Sequence, residues 1–336
     1  MTSRGTVPPS FDLVTTGNVC CDIYVPDHVR PPPGGLELIP SFEAVAGGNA
    51  ANTAITASCL GLRAAVAGAL GDDLIGRQLR RHLEEAGVDA SLIEVRPGRS
   101  SPATLVFNDP VTAERSFVHH PGTNADLSLP EAAFRAHCRV FHLAAPELLP
   151  GLWPGAALAA ARRMKSAGAT VTLDTFAVEG KSGAGGPDEL VREHRPLLEV
   201  VDMVFPNEIE ARLVTGQSTL PDITKYFHDL GARVAVIKRG AAGCTVSWEG
   251  RTVEVPAPCV QAVDTCGAGD TFSAGYIAGF VAGLDPVDSA RLGCAVGALC
   301  VTARGATTAV EDPDRLASAL SCLALPVDLT VRRRDL

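Results

Sequence analysis

The chain has 336 residues, 46% of them hydrophobic and 20% charged, with a formal net charge of -9. That length can bury the core of one large α/β domain or two ordinary ones, and the composition is too apolar for a disordered chain. The 38 acidic residues outnumber the 29 basic ones and no long basic run occurs, which argues against nucleic acid and against an anionic membrane as partners.

In chain order, residues 1–10 carry one Arg and two prolines but no apolar stretch, so no secretory signal is expected. Phe11–Thr16 reads as a first buried strand. A helix over Asn52–Leu60 and a second strand, Ala64–Ala69, follow. Asp72–Asp73 offers an N-cap for a helix with Leu74, Leu79 and Leu83 on one face and Gly87 as its stop. Arg139–Leu143, Ala169–Asp174, Val201–Phe205 and Arg233–Ile237 are short apolar runs. The helical stretches Pro154–Ala167, Glu189–Glu199 and Leu220–Leu230 separate them. This alternation predicts βαβ units and a mainly parallel sheet, with ligands at the C-terminal ends of its strands.

Two stretches break the rhythm. Asp22–Val45 is rich in proline and glycine, and Thr104–His120 alternates like a hairpin around Asn108–Glu114. They predict a small β-flap appended to the sheet, with ordinary surface loops as the other reading. The apolar stretches Ala274–Leu284 and Leu292–Ala303 fall short of the ~18 residues of a membrane span. The ten cysteines show no CxxC pair and no zinc-like spacing. Cys59, Cys244, Cys294 and Cys300 sit in apolar runs as small hydrophobes, which fits a reducing cytoplasm.

The chemistry concentrates in Asp264-Thr265-Cys266-Gly267-Ala268-Gly269-Asp270-Thr271-Phe272, a turn of small residues running into a helix. Phe272, Tyr276 and Phe280 recur every four residues, and Gly275, Gly279 and Gly283 form a second row that admits a close helix neighbour. Backbone N–H groups at such a helix start make an anion site, and the glycines let a phosphate approach. A carboxylate beside that site, Asp270, makes sense as the acceptor of a proton from a hydroxyl attacking phosphorus. The plainer reading, that Asp270 only stabilises its helix start, stands equally on this motif alone. Gly180-Lys181-Ser182 resembles a P-loop tail, but Thr175 stands where the first glycine is required. Gly71 and Gly76 have the spacing but lead into Arg77-Gln78, and no GxGxxG follows a strand.

With these residues in view, the sequence resembles the ribokinase-like, or PfkB-type, carbohydrate kinases. Asp264–Gly279 is similar to the family's C-terminal motif, and Gly47-Gly48-Asn49-Ala50-Ala51-Asn52, continuing to Gly71-Asp72-Asp73, to its N-terminal motif. Phe205-Pro206-Asn207-Glu208-Ile209-Glu210 resembles its Asn-x-x-Glu element. Lys238-Arg239-Gly240-Ala241-Ala242-Gly243 resembles its nucleotide turn, and Gly305-Ala306 its late Gly-Ala. The matches keep family order from about Leu13 to Val310.

The resemblance implies a single kinase domain over 1–336: a three-layer α/β/α fold with a mainly parallel central sheet. A small β lid would come from about 22–45 and 104–120. It implies an ATP-dependent phosphotransferase acting on a primary hydroxyl of a small sugar or sugar-like substrate. Asp270 would be the base, and the backbone of Gly267, Ala268 and Gly269 the anion hole. Asn207 and Glu210 would hold phosphates and Mg²⁺. Lys238, Gly240, Gly243, Gly305 and Ala306 would shape the nucleotide site. Asp264 matches a residue that helps bind a monovalent cation such as K⁺ in many members. Asp22, Gly47, Gly48 and Asn52 would hold the substrate. A homodimer through the lid strands fits an exposed sheet edge.

Plainer structural readings accompany three of these residues: Asn52 as a helix N-cap, Glu210 as an exposed residue of a short helix, and Lys238 as a solvated strand-end charge. Departures from ribokinases proper put ribose in doubt. Asn49 stands in place of Lys, Cys20 in place of Asn, and Ala144 in place of a sugar-contacting Glu. Arg115, His119, His120, Gly122 and Asn124 in the second lid stretch could contact an acidic or larger sugar, or be structural. The rival functions are a nucleoside kinase of the same fold and a non-catalytic sugar or nucleotide sensor.

Overall fold

The computed structural model describes residues 10–25, 33–36, 38, 43–108, 115–177, 187–327 and 331–332. In chain order, β1 (Phe11–Gly17) is followed by β2 (Cys20–Val25) and β3 (Glu43–Gly47), then α1 (Asn49–Cys59) and β4 (Ala64–Gly71). Next come α2 (Leu74–Glu85), β5 (Ile93–Arg96), β6 (Ala103–Asn108), β7 (Arg115–His120) and α3 (Glu131–Arg135). The centre holds β8 (Cys138–Ala144), α4 (Gly155–Ser166), β9 (Thr170–Asp174), α5 (Pro187–Leu198), β10 (Met203–Val204), α6 (Glu208–Thr215) and α7 (Leu220–Asp229). The chain continues through β11 (Val234–Lys238), β12 (Cys244–Trp248), β13 (Arg251–Val255), α8 (Ala268–Val281), α9 (Pro286–Cys300) and α10 (Pro313–Ser321).

Nine strands form one sheet in the order β13-β12-β11-β10-β9-β8-β1-β4-β5. All neighbours from β11 to β5 are parallel, and β12 and β13 add an antiparallel hairpin at one edge. Apolar side chains project from both faces because helices cover both. One layer packs α1, α2, α8, α9 and α10 against residues such as Leu13, Val66, Val140 and Val236. The other packs α4, α5, α6 and α7 against Val14, Phe141, Leu143 and Val204. The layer arrangement is the expected α/β/α.

The chain builds outward from β1 to β4 and β5, returns beside β1 at β8, and proceeds the other way. That reversal is a topological switch point, and the crevice at the strands' C-terminal ends is where such sheets bind ligands. A second sheet, β3-β2-β6-β7, is built from both irregular stretches. β6 and β7 pair antiparallel as the expected hairpin, whereas β2 joins β6 in parallel, which links the two stretches directly. Its turn, 109–114, lies outside the described residues, as do 26–32 and Lys181. β7 is an edge strand exposing Phe117 and Val118.

Three local expectations change. Leu74 is 75% exposed while Leu79 and Leu83 are buried, because five residues carry a side chain roughly 140° around a helix. Asn52 is not an N-cap: α1 begins at Asn49, with Gly48 capping it. Gly283 does not join the packing row of α8. It lies beyond the C-cap Ala282 at φ +85°, where it ends the helix. The described residues contain no helix long and apolar enough to cross a membrane. None of the ten cysteines forms a disulfide.

Candidate active site

The start of α8 is shaped by what is missing from it. Gly267 is the N-cap at φ +72°, a left-handed conformation that favours glycine, and a Cβ there would lie 2.4 Å from Ala306 Cβ. No side chain caps the helix, so its first-turn N–H groups, which have no intrahelical partner, are left to other acceptors. Asp270, the third helical residue, is 7% exposed. Burial lifts its carboxyl from an ordinary aspartate's 3.8 to about 6, partly opposed by hydrogen bonds from Asn52 and Asn49. Asn49 Nδ2 donates to Oδ1 at 3.0 Å and Asn52 Nδ2 to Oδ2 at 2.8 Å.

Close packing holds this helix in place. A Cβ on Gly275 would meet Gly293 Cα at 3.0 Å, and one on Gly279 would meet Ser289 Cα at 2.8 Å, so α8 and α9 touch along their backbones.

Facing the helix start, Lys238 at the end of β11 places its ammonium 2.7 Å from both oxygens of Asp174 at the end of β9. Ser273 of α8 donates to the same carboxylate at 2.9 Å. Burial pushes the Asp174 carboxyl up, while Lys238 and Ser273 pull it back. A Cβ on Gly269 would come within 3.0 Å of Lys238 Nζ, so the ammonium lies directly over the first turn of α8. Lys238 is 13% exposed and ion-paired, which overturns its reading as a solvated charge.

Asn207 caps α6 and forms a reciprocal capping box with Glu210. The Asn207 side chain accepts from Glu210 N, and Glu210 Oε2 accepts from Asn207 N and from Thr175 Oγ1. Glu210 is buried, not exposed, and burial pushes its carboxyl up to about 7, partly offset by Lys238.

These groups line a cavity of about 560 Å³ at the strand ends. It brings together Gly267, Ala268, Gly269, Asp270, Asn207, Glu210, Lys238, Gly240 and Gly243, with Ala257–Val260 on its outer side. Gly305 and Ala306 do not line it; they brace the loop from behind. Gly305 N donates to Asp264 Oδ2 at 3.0 Å, and Ala306 packs on Gly267. Asp264 also accepts from Cys266 N at 2.9 Å and Tyr24 Oη at 3.4 Å, so its carboxylate organises the loop. No metal-type cluster of His, Cys, Asp and Glu occurs among the described residues.

Asp22, Gly47 and Gly48 gather at the base of the second sheet. A Cβ on Gly47 would lie 2.1 Å from Asp22 Oδ2, so the carboxylate rests against bare backbone. Gly48 turns at φ +90° above Asn18 O, and α1 then carries Asn49 and Asn52 to Asp270. Asp22 is raised by burial and accepts from Cys20 Sγ at 3.3 Å. Of the lid candidates, Asn124 is buried and donates to Asn18 Oδ1 at 2.6 Å, and His119 Nδ1 lies 3.0 Å from Thr104 Oγ1. His120 is exposed, and the Arg115 side chain lies outside the described residues.

Asp174, Ser273, Thr175 and the Asn49 contact join the site only in the structure. Asp174 carried a usable signal, an acid closing a buried parallel strand. Ser273 carried none, and Asn49 showed only as a residue in place of Lys, because their contacts lie 99 and 221 residues away in the chain.

The family model described as pfkB family carbohydrate kinase matches residues 11–313. The chain belongs to that family. It is 31% identical over 309 residues to the aminoimidazole riboside kinase of Salmonella typhimurium, covering 88% of this chain and 96% of that protein. It is 28% identical to the ribokinase of Haemophilus influenzae, covering 89% and 94%. The structure of Arabidopsis thaliana ribokinase complexed with ribose and ATP superposes with a TM-score of 0.77 at 25% identity, over 94% of this chain and 99% of that one. A putative ribokinase II from E. coli in complex with ATP and Mg²⁺ shares the fold, with a TM-score of 0.78 at 21% identity, over 93% and 99%. This pfkB member is therefore a kinase with a ribokinase-like fold.

Proposed function

We propose that this kinase moves the γ-phosphoryl group of ATP onto a primary hydroxyl of a small sugar or sugar-like molecule, with Asp270 as the proton acceptor. The observation that carries this reading is Asp270 itself, buried in the uncapped first turn of α8 on the cavity wall, with its pKa lifted to about 6. Such a carboxylate is ionised at neutral pH yet basic enough to take a proton while the alcohol oxygen attacks. The hydroxyl proton passes to Asp270, the new oxygen–phosphorus bond forms, and the bond to the leaving ADP oxygen breaks. Phosphoryl transfer needs mainly positioning and charge stabilisation. The Gly267–Gly269 backbone and the overlying Lys238 ammonium would supply it.

ATP as donor is supported by the Arabidopsis relative, whose structure holds ribose and ATP. The residues present fit Mg²⁺. Asp174, Glu210 and Asp270 line the cavity with Lys238 as the one cationic side chain among its described wall residues, and an excess of hard oxygen donors suits that ion. Asn207 and Glu210 would hold it, partly through water, and when bound it neutralises phosphate charge. Asp264 fits a monovalent cation less well, because both its oxygens already accept hydrogen bonds. No step is derived through such an ion. Asp22, Gly47, Gly48 and Asn52 would surround the hydroxyl-bearing substrate, with the β3-β2-β6-β7 sheet as a lid that excludes water.

A nucleoside or other riboside is the second reading, favoured by the aminoimidazole riboside kinase relative. A panel of ketohexoses, pentoses, sugar acids and nucleosides, each with ATP and Mg²⁺ and scored by ADP release, separates the two. Release driven by free sugars supports the proposal, and release driven only by ribosides supports the second reading. Binding of sugar and ATP without turnover across the panel would make the protein a sensor.

A further inference from the structure

Both oxygens of the Asp270 carboxylate are occupied in this structure, each by a carboxamide of α1. The two donors are not equivalent. Asn52 is 4% exposed, one turn inside the helix between buried residues, and its Oδ1 has no partner among the described residues. Asn49 is the first residue of α1, half-buried, and lines the cavity. Its backbone is pinned, because its carbonyl accepts from Thr53 Oγ1 at 2.9 Å. Its side chain takes no part in capping, and its one hydrogen bond among the described residues is the 3.0 Å contact to Asp270 Oδ1. Asn49 lines the cavity and Asn52 does not, so Oδ1 is the oxygen held by the donor on the cavity side.

We propose that Asn49 is a resting cap on Asp270: its Nδ2–H marks the position that the substrate hydroxyl takes on Oδ1, and substrate binding turns the carboxamide off the carboxylate. Asn52 stays on Oδ2 and fixes the carboxylate plane. Asn49 is on this view a positioning residue, which holds the buried base ionised and aimed until a hydroxyl replaces it. The inference rests on Asp270 being the base. The other charged or titratable groups acting on Asp270 are Asp174 from β9, Lys238 from β11 and the Cys300 thiol of α9, and none of them exchanges with substrate at Oδ1.

The cap has a signature that a static structural role lacks. The acid limb of kcat/KM reports the free enzyme, and that of kcat reports the substrate complex. A donor present only in the free enzyme lowers the first limb and leaves the second untouched. With the best substrate of the panel, Asn49→Ala should move the kcat/KM limb upward by about one pH unit and leave the kcat limb in place. Asn49→Gln, which keeps an N–H donor, should move it less. Alanine is a good helix residue and the backbone acceptor is retained, so Asn49→Ala is expected to fold; if it does not, Asn49→Gln carries the comparison. Both limbs moving together, or neither moving, overturns the cap. Asp270→Asn is run beside them: turnover near wild type there removes the base reading itself, whereas an inactive Asp270→Asn with joint limb movement removes only the cap.

Discussion

Asp270 and Lys238 show how one buried charge is tolerated beside another. Lifting the Asp270 carboxyl from 3.8 to about 6 means that the native state holds a proton more tightly than the unfolded chain between those values. Stability contributed by the protonated form is therefore lost as pH rises from about 4 to 6, and ionisation costs on the order of 3 kcal/mol at neutral pH. Removing that charge should not unfold the protein, which is what the proposed role of Asp270 as base requires. Lys238 is the opposite case. Its ammonium and Asp174 are 13% and 7% exposed at 2.7 Å, and each satisfies the other. Lys238→Met leaves a buried carboxylate unpaired and should destabilise by about 3–5 kcal/mol in denaturant unfolding. Adding Asp174→Asn should recover most of that loss, because the orphaned charge is then gone. A Lys238→Met protein as stable as wild type would show that the pair is not desolvated.

Among the secondary-structure elements, the α8–α9 contact decides where the helix start points. Gly279→Ala would push a Cβ to 2.8 Å from Ser289 Cα, which only a backbone shift relieves, so a loss of about 1–3 kcal/mol is expected. Gly155→Ala in α4, where nothing lies within 4 Å, should be neutral or gain up to about 1 kcal/mol. Equal thermal shifts in the two variants would contradict the packing argument. The glycine row at 275 and 279 was legible in the sequence because spacing of four survives any packing detail. Its third member was not: Gly283 continues the spacing but lies two residues past the helix end at Val281, and periodicity cannot see where a helix stops. Leu74 failed for a related reason, since an apolar residue next to an N-cap looks like part of a face it cannot reach. The parallel strands were legible from unbroken apolar runs such as Ala64–Gly71. The parallel pairing of β2 with β6 was not, because register between distant strands is set by tertiary contact.

For the whole molecule, the motifs were legible where a run of small residues shapes the backbone, as at Gly267–Gly269, and obscure where the site is assembled from side chains of distant segments. Asp174 and Asn49 reach the cavity wall, and Ser273 reaches Asp174, only after the sheet has folded. The net charge of -9 fits the same picture. The cavity has three carboxylates and one ammonium among its described wall residues, so on the proposed function a cation would have to offset a nucleotide's phosphates there, without a basic surface. On the proposed function, specificity would fall to Asp22 and its neighbours, whose short polar groups suit clustered hydroxyls. The most direct measurement compares sugar-dependent ADP release by wild type and Asp270→Asn with ATP and Mg²⁺, between pH 5 and 8, alongside thermal unfolding of both. Wild-type turnover should decline below about pH 6, and Asp270→Asn should unfold no earlier than wild type yet lose about 10²–10⁴-fold in kcat. Turnover within a few-fold of wild type in a folded Asp270→Asn protein would contradict the role of Asp270 as base.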